Sequence, residues 1–111
     1  MRIAAAAAVA LLAILSIAPA AAQRASYRGV SDCSRVAAVT FKRQDRGFRR
    51  FVIDRASVSQ DRYAKMVGNQ YVAAIYSGGA TYEAGGGERK VTFICLHSGD
   101  KGALLVYTVP R

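Results

Sequence analysis

The sequence has no tryptophan, one histidine (His97) and only two cysteines, Cys33 and Cys95. A single histidine with no second histidine beside it is a poor metal-ligand set, so no metal or other cofactor is expected. Two cysteines allow one pairing and no disulfide-dense scaffold. Acids are scarce, 7 against 16 basic residues in 111. No run after the N-terminus is long enough to span a bilayer, because glycine or charge breaks each within about ten residues.

What is present at the start is "MRIAAAAAVALLAILSIAPAAAQ". Arg2 gives a positive n-region, Ile3 to Ala18 an apolar core broken only by Ser16, and Pro19 a helix stop. Ala20, Ala21 and Ala22 are the small residues a signal peptidase reads, so residues 1–22 are expected to be a cleavable signal, cut after Ala22. A transmembrane anchor is the rival, but the run is short and lacks a stop-transfer flank. Gln23, not cysteine, follows the cut, so lipid anchoring is not indicated. The expected product is a periplasmic or secreted chain of residues 23–111, one small α+β domain. Losing Arg2 takes the formal charge from +9 to +8, which favours anionic partners. Export makes a natural nucleic-acid target unexpected.

In an oxidising compartment the two cysteines are expected to pair as Cys33–Cys95. In the chain-entropy model the 62-residue separation is worth about 4 kcal/mol, a large share of the stability of so small a domain.

Residues 23–30 read as a loose lead-in. Ser31 or Asp32 is a suitable N-cap for a helix in which Cys33, Val36, Ala37, Thr40 and Phe41 form one apolar face. Gly47 ends it, with Lys42 and Arg43 suiting the helix dipole. The remainder reads as about four antiparallel strands. These are 49–59, then 70–84 with a bulge or bend at Gly78-Gly79, then 89–98, then 103–109. "DRYAKMVGN" is read as a connection, and "GGGE" and "GDKG" as hairpin turns. Alternation puts Val91, Phe93, Cys95 and His97 on one face of a strand. The disulfide would then pin an N-terminal helix to the centre of an antiparallel sheet.

Several constellations invite chemical readings. Cys95, His97 and Asp100 resemble a thiol site, but a nucleophilic cysteine must be free and ionised. With Cys33 available, a structural disulfide is the stronger reading, and His97 becomes a part-exposed strand-end residue. Ser77, Ser98 and Asp100 around His97 lack a nucleophile-elbow context. "SGGATYEAGGGE" lacks the spacing of a phosphate loop. No catalytic residue is assigned. The run "FKRQDRGFRRF" gathers Lys42, Arg43, Arg46, Arg49 and Arg50 with Phe48 and Phe51 interleaved. It reads either as an anionic-surface patch with interfacial aromatics or as a solvated basic face.

The order of signal, helix cysteine, "YVAAIYSGGATYEAG" and "VTFICLHSG" resembles small periplasmic or secreted proteins of Gram-negative bacteria that carry no assigned activity. "SGGATY" and "SGDKGALLVY" are also similar to the two motifs of periplasmic C-type lysozyme inhibitors. That resemblance implies Ser77, Tyr82 and Lys101 as the residues entering a hydrolase cleft. The second motif's tryptophan is missing here, the motifs are spaced further apart, and the cysteines are placed differently. A basic domain would also be repelled by a basic lysozyme. The expected role is therefore non-enzymatic binding of an anionic envelope component or a protein partner, with inhibition of a cell-wall hydrolase as the alternative.

Overall fold

In a computed structural model, residues 23–111 are described, and the expected signal 1–22 lies outside the described residues. The helix, α1, spans Tyr27–Gln44, six residues longer at its N-terminus than the apolar spacing alone predicts. Its N-cap is Ser26, whose Oγ accepts from the Gly29 N–H at 3.0 Å. Neither Ser31 nor Asp32 caps it, because Asp32 is turned to His97 and Arg35 instead. Val30, Cys33, Ala37 and Phe41 are buried on the inner face, with Val36 packed against them.

The sheet is wholly antiparallel and comprises β1 (Gln23–Arg24), β2 (Phe48–Ile53), β3 (Ser59–Val67), β4 (Gln70–Ala84), β5 (Gly87–His97) and β6 (Ala103–Pro110). Its order is β1-β3-β4-β5-β6, and β2 pairs with β4 as well. The first half of β4 pairs with β3 and its second half with β2.

The single strand expected over 49–59 is thus two strands, separated by a 3₁₀ turn at Arg55–Ser57. This turn explains Gly78-Gly79. Neither glycine is a bulge, since β4 pairs with β5 without a register break through them. They lie where the turn crosses β4. The Gly79 N–H donates to Ser57 Oγ at 2.8 Å, and the Asp54 N–H donates to Gly79 O at 3.0 Å. A Cβ on Gly78 would sit 3.0 Å from Ser57 O and from Val58 Cα, so the backbone could not come this close.

"DRYAKMVGN" is not a connection but most of β3 and its hairpin turn. Its residues from Asp61 onward are exposed on both faces, so no burial alternation marks it. A register shift between Arg62 and Lys65 accompanies Ala64 at φ 54°.

The core lies between α1 and one sheet face. Val91, Phe93, Cys95 and His97 of β5 are all buried there, as alternation predicts. Cys33 and Cys95 are disulfide-bonded, with Cα atoms 6.0 Å apart. Toward the C-terminal end of α1, Phe41, Phe48, Phe51 and Tyr82 pack with tilted or edge-on rings at centroid distances of 5.3–6.1 Å, the arrangement that ring quadrupoles prefer. On the other sheet face, Leu105, Tyr107 and Val109 are exposed.

Candidate functional site

The basic run crosses the corner between the end of α1 and the start of β2. Lys42, Arg43, Arg46, Arg49 and Arg50 are all exposed. Arg50 alone among them is spent on a carboxylate, donating from Nε to Glu83 at 2.7 Å. That bond raises the guanidinium's proton affinity further. The other four have no carboxylate partner among the described residues.

Asp45, inside the same run, is directed inward. It accepts from the Tyr82 hydroxyl at 2.7 Å and from the Gly47 N–H at 2.9 Å. Those bonds hold its carboxyl below the usual carboxylate range. Burial, then the Asp45 hydrogen bond, pushes the Tyr82 phenol up to about 12. The interleaved aromatics do not present an interface: Phe51 is buried and Phe48 half-buried in the aromatic cluster. The corner is therefore a charged surface on an apolar foundation, in which the ionised Asp45 is hydrogen-bonded to neutral donors and not ion-paired with the cations.

The thiol constellation resolves differently. Cys95 is bonded to Cys33, so no thiolate exists at the site. His97 is not a part-exposed strand end. It is buried to 6% exposure, because α1 covers the end of β5. Its Nδ1 accepts from the Gly99 N–H at 2.9 Å, so the ring proton sits on Nε2 and is donated to Asp32 Oδ2 at 2.9 Å. Both ring nitrogens are occupied. The Ser98 hydroxyl is spent inside the β5–β6 turn, donating to Gly102 O and accepting from the Lys101 N–H. Asp100 is exposed in that turn. Asp32 was missed as the partner of His97, yet the signal existed. It adjoins Cys33 as His97 lies two residues beyond Cys95, so the disulfide brings the pair together.

Ser77, Tyr82 and Lys101 do not converge as a cleft-entering set. Ser77 and Tyr82 are five residues apart on one uninterrupted strand and therefore face opposite sides of the sheet. Tyr82 is 5% exposed in the core. Ser77 is half-buried beside Ser59, and Lys101 is exposed in the β5–β6 turn.

No group of three or more metal-ligating side chains occurs among the described residues. No described helix is long and apolar enough to cross a membrane. No known protein family, curated protein or solved structure matches this chain.

Proposed function

We propose that the chain is an exported, non-enzymatic domain, stapled by its disulfide, that binds an anionic envelope component through the corner formed by Lys42, Arg43, Arg46 and Arg49. The observation that carries this reading is that these four exposed cations have no carboxylate partner among the described residues, while the nearby Asp45 is bonded to Tyr82 and Gly47. A merely solvated basic face would be expected to mix both signs of charge, as the Arg50–Glu83 pair does. Guanidinium groups suit such a role, since each forms charge-assisted, bidentate bonds to phosphate or carboxylate.

Retention on heparin and on anionic vesicles tests the proposal. Arg46→Glu with Arg49→Glu is expected to move elution to markedly lower salt. Reversing Arg50 should matter less, because Glu83 already holds it. Unchanged retention in the Arg46/Arg49 double variant would refute the assignment.

A further inference from the structure

A second cationic feature lies at the opposite end of α1, about 20 Å from the basic corner at a rise of 1.5 Å per residue. It is a cleft of about 440 Å³, lined by Arg28 of the helix, Arg62 of β3, Gln60, Ser26, Tyr76 and His97 among others. That volume falls within the roughly 300–1,000 Å³ range of small-molecule sites. Arg28 and Arg62 come from different elements, and neither has a carboxylate partner among the described residues. The acid behind the cleft, Asp32, is engaged with His97 and Arg35.

Two hydroxyls meet at the edge of the cleft, the buried one of Tyr76 and the exposed one of Ser26, and one of their protons is left for a ligand or solvent. Tyr76 is 3% exposed, and its hydroxyl lies 3.2 Å from Ser26 Oγ. Ser26 Oγ also accepts from the Gly29 N–H. Two hydroxyls carry two protons, and a single bond between them uses only one. Whichever hydroxyl donates, the other's proton has no acceptor among the described residues, and both residues line the cleft. A glycine at position 29 is what admits the Tyr76 hydroxyl against the helix, since a Cβ there would fall 1.9 Å from it.

We infer that this cleft binds a phosphate monoester. Two guanidiniums and a hydroxyl donor from separate elements match the several oxygens and double charge of a phosphate better than the two oxygens of a carboxylate. The positive end of the α1 dipole adds to the attraction. The volume leaves room for the organic group that the phosphate bears. The site is separate from the basic corner and stands or falls independently of it.

Calorimetric titration of the exported, oxidised protein with glycerol 3-phosphate at constant ionic strength tests this, with inorganic phosphate as a second probe. Saturable binding is expected. Arg28→Gln and Arg62→Gln should each weaken it by about tenfold or more, the scale of one charge-assisted contact. Both side chains are exposed, so folding should survive, and near-ultraviolet dichroism checks this. The Arg46/Arg49 double reversal should leave the ester's affinity within about twofold, as charges this far apart are screened. Vesicles containing phosphatidic acid, used with all variants in the Arg46→Glu/Arg49→Glu background so that the basic corner does not contribute, identify the source of the phosphate. Retention lost in Arg28→Gln and Arg62→Gln indicates a lipid headgroup. Retention unchanged while binding of the free ester is lost indicates a soluble ester. Non-saturable binding, or equal affinity in the two arginine variants and the parent, would overturn the inference.

Discussion

His97 donates its Nε2 proton to Asp32 Oδ2 at 2.9 Å across 65 positions of sequence, next to the disulfide that ties the same two elements together. The covalent bond and the charged hydrogen bond therefore report on one contact, that of the first turns of α1 with the end of β5.

Acid should weaken that contact in a defined direction. The His97 hydrogen bond, partly opposed by burial and aided by Arg35, holds the Asp32 carboxyl below its ordinary value. The folded state thus binds this proton less readily than the unfolded one. The stabilisation is complete above the ordinary carboxylate range and is lost as pH falls through the lower folded value. Asp32→Asn should cost about 1 kcal/mol at neutral pH, the net worth of such a bond. The difference from the parent should shrink below about pH 4. Urea midpoints across pH 2–7 measure it, and a difference that stays constant with pH would contradict the assignment.

Breaking the disulfide should be more costly. Thiol titration of the native protein without reductant should find no free cysteine. Reduction, or the Cys33→Ser and Cys95→Ser pair, should lower stability by about 4 kcal/mol for a loop of this length. Denaturant unfolding with and without reductant gives the value. A loss well under 1 kcal/mol would mean that the helix and sheet hold together without the bond.

Gly29→Ala sets two effects against each other. Alanine within a helix gains up to about 1 kcal/mol over glycine. Here the new methyl would fall 1.9 Å from Tyr76 Oη and 2.3 Å from the ring carbon bearing it. Tyr76 is buried and cannot swing away, and overpacking of this kind costs about 1–3 kcal/mol. Net destabilisation in a thermal melt is expected. A more stable Gly29→Ala protein would mean that the helix does not lie this close to β4.

Local patterning was legible wherever one face was covered. The apolar spacing of Cys33, Ala37 and Phe41, and the alternation from Val91 to His97, each reflect burial against a single partner surface. The two glycine-marked turns of β4–β5 and β5–β6 were legible for a local reason as well. Strand β3 was hidden, because from Asp61 onward neither of its faces is covered and no period survives in its residues.

The sequence alone therefore determined an α+β chain with an excess of base, one possible disulfide and a helix face directed at Cys95. Each of these follows from composition or from a short-range period. The tertiary structure decided which acids are spent and which cations are free. Asp32 goes to His97, Asp45 to Tyr82 and Glu83 to Arg50, each across more than 30 positions. It also turned Ser77 and Tyr82 to opposite faces and brought Arg28 and Arg62 to one cleft. Charge pairing depends on distances through space, and those exist only once the strands have found their neighbours.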